Sequence, residues 1–451
     1  MKKTNLIPPG SFTAKYNLVI VMFIIAILLS LIFYMIPLGV FSKMNEPVVI
    51  YFADNITPAH EKIIDQFNKK YSDRVKVIPI DIPFSKFSTN ERKELIARTL
   101  RNSNNRIDIF TVDQIWVSRF AKWAKPLSLY FSRKEIEPII PVALKTCYDD
   151  RVLVSIPLHI DIGVMYYRKD LLKNFDNPPE AERSLQNSIT WNKFIGLKRH
   201  LKTSNPFYVF QGENYEGLVL QFMEISGSGL GKFITGDSIR LQQPELVQSC
   251  SLLVGLVNQY KLSPPEVTSF NENLSYEYAF KNDAVFFRGW PGLLREASNF
   301  PGGKEKALLL GVASLPRLDG NNPVSALGGW NMMISENSGK VDEAVLFLKY
   351  ILSDEAQKIL YETAGFLPVL KSVYDDTTIT NDNVHLSYFR KLIDRGIYRP
   401  AHPEYTKLSN ILSGYLYRAV NNELSPEEAL RLAEMDINAQ ISFDKNKVYN
   451  F

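Results

Sequence analysis

The alternation that opens the body of the chain constrains its fold more than any other feature. Pro47 to Ala53 (P-V-V-I-Y-F-A) has the apolar, β-branched make-up of a buried strand. Thr57-Pro58 then supplies an N-cap and a first-turn proline, and Ile63, Ile64, Phe67 and Tyr71 fall on one helical face. Val75 to Ile80 reads as a second strand, Glu91 to Asn102 as a helix and Ile107 to Val112 as a third strand. Strand, helix, strand, helix, strand predicts a largely parallel sheet covered by helices. Ligands of such sheets sit beyond the carboxyl ends of the strands. Asp113-Gln114-Ile115-Trp116 falls at such an end.

Ahead of this unit lies a run of a different kind. Leu18 to Ile36 is a run of nineteen residues in which Ser30 and Tyr34 are the only polar groups. As a helix it would span about 28 Å, close to the hydrocarbon thickness of a bilayer. A cleaved signal peptide would have a shorter core and a small-x-small site, and Met35 to Val40 offers none. The expectation is an uncleaved transmembrane anchor over 16–41 with a cytoplasmic tail over 1–15. Lys2, Lys3 and Lys15 precede the run and Lys43 follows it, so the rest of the chain is expected outside the plasma (inner) membrane, as a single-pass protein.

These lysines explain the net charge. Four of the 52 basic residues lie in the first 45, which hold no acid, so the remainder carries 48 of each sign. A neutral body without basic runs argues against a nucleic-acid partner. Cys147 and Cys250 make neither a metal-ligand spacing nor a disulfide framework, and no cofactor or metal is expected. The 451 residues suit two or three packing units, and 45% hydrophobic content suffices for a large core. There is no repeat and no Gly/Ser linker, so the body reads as one interleaved α/β unit.

Ile156 to Leu172 (I-P-L-H-I-D-I-G-V-M-Y-Y-R-K-D-L-L) places a single carboxylate, Asp161, within an apolar run broken just after it by Gly163. An unpaired carboxylate there is costly, so Asp161 requires a protein partner or a ligand. His159, two residues earlier on a strand, shares its face. Ser226 to Lys232 partly matches a phosphate loop, but the first glycine is absent and Phe233 replaces the Ser or Thr. There is no H-E-x-x-H, no G-x-S-x-G and no His/Cys cluster. A pair of glycosidase carboxylates stays open, because the chain has many acids.

Four blocks resemble the extracellular solute-binding proteins of ATP-driven sugar importers, the family of maltose- and trehalose-binding proteins. They are Asp108 to Trp116 with Lys125-Pro126-Leu127; Ile156 to Asp161 with Tyr166 to Leu171; Phe210 to Leu218; and Gly328-Gly329-Trp330 with Asp342 to Ala344, Phe347 to Tyr350, Ser353 to Gln357 and Gly365 to Pro368. The resemblance spans nearly all of 46–451. It implies a two-lobed periplasmic-binding-protein type II fold with hinge crossings. Lobe one would be 46–157 plus 310–372, and lobe two 158–309 plus 373–451.

The resemblance also implies a ligand-binding cleft. A protein that encloses a sugar must satisfy its buried hydroxyls with carboxylates and arginines and cover its C–H faces with aromatic rings. The residues expected in the cleft are Asp113, Trp116, His159, Asp161, Tyr215, Glu216, Trp290, Gly329, Trp330 and Arg399. Each has a plainer role: Asp113 as a helix cap, Trp116 as core, Glu216 beside a helix dipole, Arg399 as a surface cation. Relatives commonly carry an aromatic where this chain has His159, and one where it has Gly292.

The expected function is a monomeric, membrane-anchored receptor that binds a di- or oligosaccharide or glycoside by hinge closure and presents it to the permease subunits of an ABC transporter. A ligand sensor coupled to a histidine kinase and a carbohydrate-cleaving enzyme are the alternatives.

Overall fold

The computed structural model describes residues 19–30, 46–84, 86–87, 89–102 and 106–443. Two sheets organise it. The first contains β1 (Val48–Asp54), β2 (Val75–Asp81), β3 (Ile109–Asp113), β4 (Ile156–Ile162), β9 (Ser325–Ile334) and β10 (Gly396–Ile397). β1 runs parallel to β2 and β3, and β9 lies antiparallel between β3 and β4. The second sheet contains β5 (Val164–Arg168), β6 (Tyr208–Val209), β7 (Phe286–Gly289) and β8 (Leu310–Ala313), in the order β8-β5-β7-β6.

The opening alternation folds as its pattern predicts. Helix α1 (Pro58–Lys70) begins at Thr57 with Pro58 in its first turn, and it buries Ile63, Ile64 and Phe67 against the first sheet. Its capping box is closed by His60 rather than by an acid: the Thr57 N–H donates to His60 Nδ1 at 3.2 Å. Helix α2 (Thr89–Leu100) connects β2 to β3. Helix α3 (Glu216–Ser226) reaches the second sheet through the Glu224–Arg288 pair, α4 (Pro244–Asn258) packs on α3, α6 (Tyr405–Val420) packs on both, and α7 (Pro426–Gln440) packs on α4 and α6. Helix α5 (Asp354–Ala364) packs on α1.

The sheet pairing moves the expected crossings. β4 stays hydrogen-bonded to β9 as far as Ile162, so the chain leaves the first sheet at Gly163 rather than at 157/158. There it passes the Glu224 carboxylate so closely that a Cβ on Gly163 would lie 2.2 Å from Oε1. Residues 310–313 were expected in the first lobe, yet they pair with β5, so the return falls after Ala313. A third crossing follows β10, which pairs with β9, and leads into α6; Arg399 lies on it.

The expected 16–41 anchor falls largely outside the described residues. The described part, 19–30, is helical, and its apolar side chains from Val19 to Leu29 are exposed. Among the described residues no helix is long and apolar enough to cross a membrane.

Candidate functional site

The two sheets meet where β4 becomes β5, opposite Gly328 and Gly329 of β9. Gly329 has φ +132°, and a Cβ on it would lie 2.5 Å from the His159 carbonyl oxygen, so only glycine fits. A Cβ on Gly328 would be 3.1 Å from the Asp161 Cβ and 3.3 Å from the Trp290 ring. These contacts bring Asp161, Trp290 and the double glycine to one point between the sheets. Asp161 keeps 18% side-chain exposure, and its Oδ2 is 3.4 Å from His159 Nε2. His159 is buried and stacks flat on Phe366 at 4.1 Å between ring centroids. Glu296, which sequence reasoning passed over, feels the same carboxylate: burial first, then the Asp161 charge, pushes its carboxyl above the usual range.

Trp290 carries Arg288 on its ring, 3.9 Å from the centroid. Arg288 is fully buried and held by Glu224 through Nη2–Oε1 at 3.0 Å and Nε–Oε2 at 3.3 Å, with Gln211 Oε1 3.4 Å from Nη1. Burial alone would lower the guanidinium pKa. The Glu224 charge and hydrogen bond overcome it, so the guanidinium stays charged. Glu224 Oε1 also accepts the Ala326 N–H at 3.1 Å, which ties α3 to the first residues of β9.

Trp330, half-buried on β9 and register partner of both Asp113 and His159, is built into a similar stack. The Arg92 guanidinium lies 4.6 Å from its centroid and 4.0 Å from that of Phe84. Arg92 donates to Asp54 Oδ1 at 3.0 Å. Thr111 Oγ1 donates to the same oxygen at 2.6 Å, and His60 Nε2 stands 3.3 Å from Oδ2. Because His60 Nδ1 accepts from Thr57, Nε2 carries the hydrogen toward Asp54. Burial would raise the Asp54 pKa. The His60 bond and charge, then Arg92 and Thr111, outweigh it and hold the carboxyl at about 2.

Trp116 is buried, edge-on to Trp330 at 6.3 Å, with the Lys93 ammonium 5.3 Å from its ring. This is the plainer, core position weighed for it. Asp113 takes the plainer role weighed for it and adds an ion pair. It caps the turn Gln114–Trp116 by accepting the Ile115 N–H at 3.1 Å, and it accepts from Arg399 Nη2 at 2.8 Å. Arg399 is 5% exposed, not a solvated surface cation, and its Nη1 reaches Glu216 Oε1 at 3.4 Å. Glu216 also accepts from Tyr405 Oη at 2.8 Å and from Ser409. Burial outweighs these partners and raises its pKa. Asp113, Arg399 and Glu216 therefore form one chain of charges from the first sheet to the amino end of α3. Tyr215 turns away from it and donates to Glu272 Oε2 at 2.8 Å.

The expected residues thus fall into three groups: His159, Asp161, Trp290 and Gly329 at the junction; Trp116 and Trp330 on the first sheet; Asp113, Glu216 and Arg399 in the bridge. Tyr215 stands apart. Arg92, Arg288, Glu224 and Asp54 were missed. Only Asp54 had a signal, its place at the carboxyl end of β1. No group of three His, Cys, Asp or Glu among the described residues is arranged to hold a metal ion.

The model of the family described as bacterial extracellular solute-binding protein matches residues 53–358. Over 388 residues the chain is 26% identical to the "Probable ABC transporter-binding protein" of Deinococcus radiodurans, covering 83% of this chain and 88% of that one. It is 21% identical over 423 residues to the arabinooligosaccharide-binding protein of Halalkalibacterium halodurans, covering 86% and 88%. The structure of maltose-bound MalE3 of T. maritima aligns at a TM-score of 0.76 and 24% identity over 87% of this chain and 100% of that one. That likeness shows the fold, the two-lobed α/β architecture of periplasmic binding proteins. The proteins matched are binding proteins of transporters, not enzymes. With the family model matched over 53–358, the chain belongs to the bacterial extracellular solute-binding proteins.

Proposed function

We propose that the chain is the extracytoplasmic receptor of an ABC importer and binds a di- or oligosaccharide or glycoside between its two sheets. The observation that carries this reading is the junction itself. A partly exposed carboxylate, Asp161, and the Trp290 ring converge on Gly328, with Trp330 two residues on. A carboxylate accepts hydroxyl hydrogens, a ring covers a C–H face, and a glycine backbone lets both approach. The arabinooligosaccharide-binding relative supports a saccharide as the ligand class. Lobe one is β1–β4 with β9 and β10; lobe two is β5–β8 with α3, α4, α6 and α7. The ligand favours the closed arrangement by its higher affinity for it. The permease subunits are the partner of the closed receptor. The apolar 19–30 helix, exposed all round, supports a membrane tether formed by the wider apolar run.

Calorimetry of the full chain against a panel of neutral and acidic di- and oligosaccharides tests the reading. Saturable one-to-one binding to at least one of them is expected. Folded protein that binds none of them contradicts it.

A further inference from the structure

The two tryptophan–arginine stacks are satisfied to different degrees. Arg288 uses Nε, Nη1 and Nη2. Arg92, also 0% exposed, makes one hydrogen bond among the described residues, to Asp54, and its Nε and Nη1 are buried without a partner among them. Unpartnered too are Trp116 Nε1, on the ring that meets Trp330 edge-on, and Arg399 Nε, whose other nitrogens hold Asp113. A buried donor left without an acceptor costs about 1–3 kcal/mol, so this corner of the cleft is short of acceptors.

The acceptors already present are engaged. Asp54 Oδ1 accepts from Arg92, Thr111 and the Asn55 N–H and its Oδ2 faces His60 Nε2; Asp113 serves Arg399 and the Ile115 N–H; Glu216 serves Arg399, Tyr405 and Ser409. A sugar hydroxyl entering here would bring an acceptor but also a hydrogen that finds few free oxygens. A carboxylate or phosphate brings acceptors only. It would also face two buried cations on successive positions of α2, Arg92 and Lys93, the second 3% exposed and sharing the one Glu94 oxygen with Arg119. Asp54, Asp81 and Asp113 lie at the carboxyl ends of β1, β2 and β3, and Arg92 reaches over these ends, where α/β sheets take their ligands.

We propose that the corner formed by Arg92, Trp116 and Trp330 receives the acidic group, carboxylate or phosphate, of an anionic saccharide. This rests on the saccharide reading given above and narrows it. Trp330 then has two duties: it packs on Arg92, and its remaining surface lies beside the sugar ring that carries the acid.

Calorimetry on the full chain decides the matter with matched ligands: a neutral disaccharide, the same disaccharide ending in a uronic acid, and its phosphate ester. At least one acidic ligand is expected to bind tenfold or more tightly than the neutral one. That advantage should shrink between low and physiological salt and disappear in Arg92→Gln, with partial return in Arg92→Lys. Whether the uronate or the phosphate is the tighter of the two assigns the source of the acidic group. Neutral ligand binding as tightly as both acidic ones overturns the proposal and leaves the saccharide reading standing. Binding of none of the three, with none in the wider panel, overturns both. Where Arg92→Gln does not fold, the native comparison and its salt dependence still decide.

Discussion

The second sheet's stack of Trp290, Arg288 and Glu224 and the first sheet's stack of Trp330, Arg92 and Asp54 have the same parts in the same order. They differ in what is left over. Glu224 grips Arg288 through two oxygens, Gln211 takes the third nitrogen, and one of those oxygens also binds the backbone of β9. That stack is a strut: it fixes a tryptophan and ties the second sheet's helices to the first sheet. Asp54 takes Arg92, Thr111 and the Asn55 N–H on one oxygen and faces His60 with the other, and Arg92 keeps two nitrogens without a partner among the described residues. A buried polar group with no spare valence specifies structure, whereas one with spare donors is prepared for something that arrives later.

Removing the arginines should break the symmetry most visibly. Arg288→Met leaves Glu224 buried with little to offset its charge, and a loss of about 3–5 kcal/mol is expected. Arg92→Met leaves Asp54 with Thr111 and His60, and about 1–3 kcal/mol is expected. Urea unfolding of both variants beside the native chain measures the difference. Equal losses would contradict the distinction between strut and receptor.

The Asp54 carboxyl gives the next largest effect. Its folded pKa of about 2 lies below the ordinary aspartate value, so the stabilisation is fully present above pH 4. It is lost as the pH falls from about 4 through 2, and amounts to about 2 kcal/mol. Denaturant midpoints of the native chain and Asp54→Asn should therefore converge between pH 5 and pH 2. A gap that stays constant over that range would show that the charge is not what matters.

Gly163→Ala tests the strut from the other side, since the new methyl meets a Glu224 oxygen held in place by Arg288 and Ala326. About 1–3 kcal/mol of destabilisation is expected. Thermal unfolding compared with Gly236→Ala, also at a glycine, gives the contrast: nothing lies within 4 Å of the Cβ there, and only its φ of +66° adds strain. The smallest effect belongs to Phe84→Leu. It removes a half-exposed ring from Arg92, a layer for which Arg288 has no counterpart here, and costs about 0.5–1 kcal/mol.

Much of the frame was legible because it is local. The run from Pro47 to Val112 carries periodicity, caps and strand composition within each element, and the elements formed where those signals lie. The crossing points were less legible. Strands β4 and β5 differ by one residue of spacing and share the same apolar composition, so only hydrogen bonding to β9 shows that the change falls at Gly163. Asp161 and His159 were readable as a same-face pair because a strand alternates. Arg92 was not, since it sits among charged residues on an ordinary-looking helix, and its burial comes from rings of Phe84 and Trp330 that approach it in space. The same holds for Arg288, whose partner Glu224 lies in an apolar helix without a sequence mark.

A saccharide enclosed at the junction of the two sheets would leave a direct structural signature. A crystal structure of the full chain grown with its tightest-binding saccharide tests it most directly. A sugar ring is expected within about 4 Å of Trp290 or Trp330, with a hydroxyl on Asp161. A saccharide bound elsewhere, with these three side chains untouched, would contradict it.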